Sequence, residues 1–91
     1  MEVKWTDKAL RDLERLYAFL SRTNTSAAVS VVQALAKAPA RLIANPRIGE
    51  QLFQFQPREV RRILAGNYEV RYELRNSMIY VLRLWHTREN R

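Results

Sequence analysis

Residues 68–85 read YEVRYELRNSMIYVLRLW, and this stretch decides the fold class. Its first eight positions alternate between two kinds of side chain, which is the period of two expected for a strand with one apolar face. The apolar set consists of Tyr68, Val70, Tyr72 and Leu74. Asn76-Ser77 provides a two-residue connection, and residues 78–85 are largely apolar on both faces, as in a central strand. The stretch therefore predicts an antiparallel hairpin within a larger sheet.

Shorter strand signals lie upstream of this hairpin. Residues 60–64 predict a strand that ends in a turn at Ala65-Gly66-Asn67. Residues 51–55 are rich in apolar side chains and are followed by Pro57, which suggests another short strand. At the N-terminus, residues 2–5 alternate between charged and apolar side chains and predict a first strand.

Two helical segments separate the first strand from the rest. Residues 9–20 carry apolar side chains at a helical period, with Arg11, Asp12, Glu14 and Arg15 on the other side. Thr6 or Asp7 is suited to cap the start of this helix, because either side chain can accept a hydrogen bond from the free amides of the first turn.

A second helix is predicted to start near Ser26, after a polar link at residues 21–25. Pro39 should kink or interrupt this helix, because it removes an amide donor and crowds the preceding turn. The short link predicts an antiparallel helical hairpin, and its apolar stripes need a sheet to cover. The whole chain, residues 1–91, is therefore predicted to form one α+β domain. Its N-terminal strand joins a mostly antiparallel sheet of about four strands, and the hairpin packs on one face.

Composition excludes several kinds of site. The 91 residues have a net charge of +7, and 13 of the 16 basic residues are arginine. Arginine favours bidentate contacts with carboxylates and phosphates, so nucleic acid and acidic protein segments are the natural partners. With no cysteine and one histidine, neither a metal site nor another cofactor is expected.

The sequence also sets an expectation about location. Met1 is followed by EVKWTD rather than by a basic and then apolar stretch, so no signal peptide is expected. No run approaches about 18 consecutive apolar residues, so no membrane-spanning segment is expected. The protein is predicted to be cytoplasmic and not associated with a membrane.

Several motifs in the second half resemble those of one known family. These are residues 46–49 (PRIG), 58–62 (REVRR), 66–72 (GNYEVRY) and 82–89 (LRLWHTRE), together with the opening residues 3–6 (VKWT). In combined order and spacing they resemble the RelE/ParE superfamily of toxins from bacterial type II toxin–antitoxin modules. The resemblance covers essentially the whole chain. It implies a helical hairpin on an antiparallel sheet and an acidic antitoxin that binds the toxin in a hetero-oligomeric complex.

The superfamily is divided by target. RelE-like members are ribosome-dependent endoribonucleases that cut mRNA. ParE-like members share the fold of RelE-like members but poison DNA gyrase. RelE-like nucleases typically carry an arginine at the position of Glu69 and an aromatic residue in the C-terminal tail, which here has none after His86. The resemblance therefore implies a ParE-like toxin and favours a gyrase inhibitor over an enzyme, with an mRNA interferase of RelE type as the alternative.

Residues for the alternative chemistry are nevertheless present. RNA cleavage needs acid–base groups and cations that stabilise the phosphorane. The candidates are Glu59, Arg61, Arg71, Arg83 and His86. Each has a structural interpretation as well: a hydrogen-bonding histidine, a Glu59 that pairs with Arg61 or Arg62, and strand arginines that pair with Glu69 and Glu73.

The candidate target- or partner-binding residues are the arginines and aromatic side chains of the second half. They are Arg58, Arg61, Arg62, Arg71, Arg83, Trp85, His86 and Arg88. An antitoxin segment is predicted to lie in apolar grooves beside Trp85 and the helical hairpin. A third hypothesis is a basic interaction module without toxicity, such as a degenerate toxin.

Overall fold

A computed structural model describes residues 1–89, so Asn90 and Arg91 of the predicted polar tail lie outside the described residues. The strands are β1 (Glu2–Trp5), β2 (Glu50–Gln51), β3 (Glu59–Ala65), β4 (Tyr68–Arg75) and β5 (Met78–His86). The helices are α1 (Asp7–Ser21), α2 (Thr25–Lys37) and α3 (Arg41–Ala44), with short 3-10 turns at Ala38–Ala40 and Phe53–Phe55.

The strands form one five-stranded sheet in the order β1-β5-β4-β3-β2. The pairs β2–β3, β3–β4 and β4–β5 are antiparallel, while β1 lies parallel to β5. β1 and β5 are the first and last strands of the chain, so the helices and the other three strands supply the long connection that a parallel pair requires. The predicted α+β class and the hairpin on a mostly antiparallel sheet are confirmed.

The hydrophobic core lies between the helices and one face of the sheet. The apolar alternation of β4 points into it: Val70 and Tyr72 are fully buried, and Tyr68 packs at the margin. The helices contribute Ala9, Leu16 and Leu35 to the same cluster. We call this side of the sheet the helical face, and the opposite side the open face.

Local signals at the helix ends are confirmed. Thr6 rather than Asp7 caps α1, and its hydroxyl accepts a hydrogen bond from the Ala9 amide. Pro39 interrupts the second helix, which continues after one 3-10 turn as α3.

The predicted two-residue connection between β4 and β5 is present. Asn76 and Ser77 both adopt positive φ angles, 53° and 61°, the geometry that a two-residue hairpin requires.

The strand predicted over residues 51–55 is wrong in its extent. Only Glu50–Gln51 pair with β3, and Phe53–Phe55 form a 3-10 turn instead. The apolar side chains of this segment gave a strand-like composition, but composition does not distinguish a short strand from a turn whose aromatic residue covers the sheet. Phe55 packs against Arg71 on the open face.

Asp12 departs from the helical pattern, which placed it on the polar side of α1. It is only 4% exposed. β1 ends at Trp5, so beyond Val81 no strand in the described part of the chain pairs with that edge of β5. The Leu84 amide donates to Asp12 at 2.9 Å, and Arg15 donates to the Leu84 carbonyl at 3.2 Å. Side chains of α1 therefore satisfy the backbone edge that β1 leaves open.

One helical stretch meets the length and composition of a membrane span. It spans Thr25–Ala44, 20 residues, of which a minority are buried. It contains no unbroken apolar run of this length, so the sequence alone did not predict it. Here Leu35 and Leu42 are buried in the core clusters, and a helix that packs in a core passes the same test, so this is weak evidence for a membrane segment.

Candidate functional site

The open face carries most of the predicted binding residues. Glu69, Arg71 and Glu73 of β4 alternate with the core residues and point to this face, where Trp85 of β5 lies opposite Glu69. Two of the carboxylates are buried, because Glu69 is 1% and Glu73 is 6% exposed. Buried carboxylates need cationic partners, since an isolated buried charge costs several kcal/mol, roughly.

Three arginines bind the carboxylates of Glu69, Glu73 and Asp12, each through the Nε and Nη2 groups of its guanidinium. Arg58 donates Nε and Nη2 to Glu73 at 3.1 and 2.9 Å. Arg71 donates Nε and Nη2 to one oxygen of Glu69 at 3.2 and 2.9 Å. Arg83 donates Nε and Nη2 to Asp12 at 2.7 and 3.1 Å. The expected pairing of Arg71 with Glu69 is present, but Arg83 pairs with helix α1 rather than across the sheet.

The guanidiniums also stack on aromatic rings. Arg71 and Arg83 lie 4.6 and 4.9 Å from the centre of the Trp85 ring, and Arg71 lies 5.5 Å from that of Phe55. Cations over a ring face are attracted by its quadrupole. Together the carboxylates and rings hold the planes of Arg71 and Arg83 in defined orientations, which pre-organises them for an anionic partner.

A groove of about 640 Å³ lies between these side chains and the start of α1. Its apolar part includes Phe55, Leu82 and Trp85, and its cationic part includes Arg58, Arg71, Arg83 and Lys8. Arg58 is the most open of the three ion-paired arginines, with 52% of its side chain exposed. The groove brings together four of the predicted binding residues: Arg58, Arg71, Arg83 and Trp85.

The other predicted arginines lie elsewhere. Arg62 bridges Glu50 and Glu69 on the open face near β2, at 2.7 and 3.3 Å. Arg61 lies opposite the core residue Tyr72, on the helical face, and donates to the Gly49 carbonyl at 2.7 Å and to Glu59 at 2.9 Å. Arg61 therefore anchors the loop before β2.

The acid–base candidates Glu59 and His86 lie at opposite ends of the sheet. Glu59 pairs with Leu74, whereas His86 pairs with Tyr68, which in turn pairs with Ala65 at the far end of β3. Six residues along a strand span about 20 Å, so the two side chains cannot act on one phosphate in this arrangement. Glu59 is also engaged by Arg47 at 2.8 and 2.9 Å.

His86 and Arg88 lie beside a second groove, of about 580 Å³, at the C-terminal end of α1. His86 accepts a hydrogen bond from the Arg88 amide at Nδ1 and meets the Tyr68 ring edge-on at 5.1 Å. Glu89 accepts from the His86 amide and pairs with Arg15 at 2.7 Å. Leu16, Phe19 and Leu20 make this groove the more apolar of the two, so the predicted apolar surface beside the helical hairpin is present.

The motif at residues 46–49 has a structural role. The Tyr72 hydroxyl donates to the Pro46 carbonyl at 2.7 Å and accepts from the Gly49 amide at 3.1 Å. Burial raises the pKa of this phenol, so it stays protonated as the donor. Tyr72 and Arg61 together fasten the loop between α3 and β2 to the sheet.

The ion pairs predict a loss of stability in acid. Burial alone would raise the pKa of Asp12, but hydrogen bonds from Arg83 and Leu84 and the nearby positive charges lower it. The hydrogen bond from Arg58 lowers the pKa of Glu73, and that from Arg47 lowers the pKa of Glu59. A lowered folded-state pKa adds stability above the unfolded value of about 4, and this stability is lost as the pH falls through the folded value.

We therefore expect the free energy of unfolding in urea to be constant above about pH 5 and to decrease steadily below about pH 4. The Asp12→Asn variant should have a shallower pH dependence over the same range, because one of the titrating groups is gone. Equal stability of the wild type at pH 7 and pH 3 would contradict the assignment.

Two residues of the groove and one residue behind it were not predicted as part of a site. Phe55 was assigned to a strand and Lys8 to no site, and Asp12, which orients Arg83, was assigned to the polar side of α1. The role of Asp12 could have been predicted only from the point at which β1 stops pairing with β5, because that point determines which backbone amides of β5 need another acceptor. The described residues contain no group of three or more histidines, cysteines or carboxylates that could hold a metal ion.

Comparison with known proteins identifies a family whose model matches this chain. Residues 3–91 match the family model described as the ParE toxin of type II toxin-antitoxin system, parDE. Among solved structures, a chain of the chromosomal ParDE TA system from P. aeruginosa is similar with a TM-score of 0.76 and 22% identity. The match covers 94% of this chain and 95% of that chain, and at this identity it shows the fold. No curated protein matches the chain.

Proposed function

The chain belongs to the family of ParE toxins of type II toxin–antitoxin systems, and from this premise we propose that it stops bacterial growth by poisoning DNA gyrase. The observation that carries the proposal is the match to the ParE family over residues 3–91. The proposed site of action is the cytoplasm, where gyrase and its DNA are found.

The geometry of the charged residues favours gyrase over RNA as the target. Acid–base catalysis requires two groups within hydrogen-bond reach of the same substrate, and Glu59 and His86 lie about 20 Å apart along the sheet. Glu69, at the position where RelE-like nucleases carry an arginine, is buried and holds Arg71. Arg71 and Arg83 each hold a carboxylate on the open face, as they would in a protein-binding surface built for contact rather than for cleavage, while Arg61 anchors a loop on the other face.

Neutralisation by a cognate antitoxin is the second part of the proposal. The net charge of +7 suits an acidic antitoxin, and the two grooves, one cationic and one apolar, offer surfaces to bind it. The toxin and the antitoxin would then form a hetero-oligomer in which the toxin is inactive.

Two parallel assays of the purified toxin test the target. We expect the toxin to inhibit gyrase supercoiling and to leave labelled mRNA intact on translating ribosomes. Glu59→Gln should retain the supercoiling inhibition within about threefold, because acid–base chemistry is not used; for a catalytic base, the loss is typically about 10²–10⁴-fold.

Codon-dependent mRNA cleavage that disappears in Arg61→Ala or His86→Ala would contradict the gyrase proposal and support an mRNA interferase. Activity in neither assay, with no growth arrest on expression, would instead indicate an inactive interaction module. The proposed antitoxin is sought as the product of the reading frame beside the toxin gene, and its addition should restore supercoiling, which tests neutralisation separately.

A further inference from the structure

The open-face groove presents hydrogen-bond donors that no acceptor within residues 1–89 uses. Arg58, Arg71 and Arg83 all donate through Nε and Nη2. Within residues 1–89, the Nη1 groups of these three arginines donate no hydrogen bond. A guanidinium has five N–H donors in a fixed fork, so each Nη1 leaves two donors for an external acceptor.

The arrangement brings two of these arginines together. Arg71 and Arg83 are direct partners across β4 and β5, and both stack on Trp85. Their guanidinium planes are fixed by Glu69 and Asp12, which are 1% and 4% exposed. Buried ion pairs are often no more stabilising than apolar residues of similar size, so their presence is better explained by the orientation that they impose on the arginines.

We propose that this groove binds a segment of the antitoxin that carries at least two carboxylates beside an apolar side chain. The inference rests on the proposed neutralisation by an acidic antitoxin and assigns it a place on the toxin. The carboxylates accept from Nη1 of Arg58, Arg71 and Arg83, with Lys8 at the rim. The apolar side chain lies against Phe55 and Leu82, which line the same groove.

The aromatic rings of the groove favour a peptide over nucleic acid. Unpaired bases bind by stacking on open ring faces, whereas guanidiniums lie over the rings of Phe55 and Trp85.

The test measures binding of the full-length toxin to the proposed antitoxin, sought as the full-length product of the reading frame beside the toxin gene. Lys8 is exposed and makes no ion pair within residues 1–89, so Lys8→Glu should leave the fold intact. We expect this variant to bind the antitoxin about tenfold more weakly, with much of the change in the association rate. Lys37→Glu, an identical charge change at an exposed position of α2, is the control and should bind within about twofold of the wild type.

A second variant tests the planar geometry of the guanidinium donors rather than the charge. Arg58→Lys keeps the positive charge beside Glu73 but removes the planar pair of donors. We expect the complex to dissociate about fivefold faster, with association unchanged. Circular dichroism and urea unfolding of each variant identify any loss of folding.

Three outcomes would overturn the inference. Lys8→Glu and Arg58→Lys could both bind the antitoxin as tightly as the wild type, which would place the antitoxin elsewhere. A short DNA duplex could bind Lys8→Glu more weakly than it binds the wild type and Lys37→Glu, while the antitoxin binds all three equally. That result would assign the groove to nucleic acid. The wild type could fail to bind the antitoxin, which would remove the proposed neutralisation too; inhibition of gyrase by the free toxin is measured without antitoxin and remains an independent result.

Discussion

Gly49→Ala should destabilise the protein by about 3 kcal/mol, because the added methyl group has no space. A Cβ at this position would lie 2.5 Å from the Tyr72 hydroxyl oxygen, 2.9 Å from its Cε1 atom and 2.6 Å from the Arg62 carbonyl oxygen. The carbonyl belongs to the backbone of β3, and the hydroxyl is held between Pro46 and Gly49. Relief therefore requires the loop between α3 and β2 to move away from the sheet. Urea unfolding monitored by tryptophan fluorescence gives the change in free energy.

Gly66→Ala is the matched control, since it adds the same methyl group at a turn. Nothing lies within 4 Å of its Cβ, but its φ of +62° is unfavourable for alanine, so we expect a loss of about 1 kcal/mol. Adding Tyr72→Phe to Gly49→Ala should not restore stability, because the contact with the Arg62 carbonyl remains. A cost for Gly49→Ala no greater than for Gly66→Ala would show that the loop is not held in this position.

Asp12→Ala should cost about 3–5 kcal/mol, the range for breaking a buried ion pair by removing one partner. The substitution leaves the Leu84 amide without its acceptor at the uncovered edge of β5, and Arg83 without its carboxylate. A domain of this size has a total stability of roughly 5–15 kcal/mol, so a large share of the variant should be unfolded well below the melting temperature of the wild type. Thermal and urea unfolding both measure this effect.

Glu14→Ala on the same helix is the control for Asp12→Ala. Glu14 is exposed, and substitutions at such positions usually change stability by less than about 0.5 kcal/mol. Asp12→Asn should fall between the two, because the amide oxygen can still accept from Leu84 while the charge opposite Arg83 is lost. If Asp12→Ala were no more destabilising than Glu14→Ala, the edge of β5 would not depend on α1.

The period of two along β4 identified both faces of the strand, but not their environments. Tyr68, Val70 and Tyr72 were placed in the core from the alternation alone, and the structure confirms this. The same alternation placed Glu69 and Glu73 on the opposite face as partners of strand arginines, but it did not predict that both are buried. Burial of a charged residue depends on which partners reach it from other elements, and here Arg58 comes from the loop before β3.

The candidate site shows the same division. Arginine-rich strands with a neighbouring tryptophan predicted an anion-binding surface, and four of the predicted residues line one groove. Periodicity did not reveal that Arg61 lies on the other face as a loop anchor, or that Glu59 and His86 lie at opposite ends of the sheet. Those relations depend on strand register, which is set by pairing between segments far apart in the chain.

By itself the sequence determined the elements whose signals are local. Alternation defined β4, a capping threonine began α1, Pro39 divided the second helix, and the motifs of residues 46–89 indicated the toxin family. The tertiary structure alone decided the parallel pairing of β1 with β5, the burial of Asp12 at the edge that this pairing leaves open, and the common groove of Arg58, Arg71 and Arg83. The reason is physical: local structure follows from the preferences of neighbouring residues, whereas an ion pair such as that of Asp12 and Arg83 joins distant parts of the chain, which only the packed fold brings within 2.7 Å.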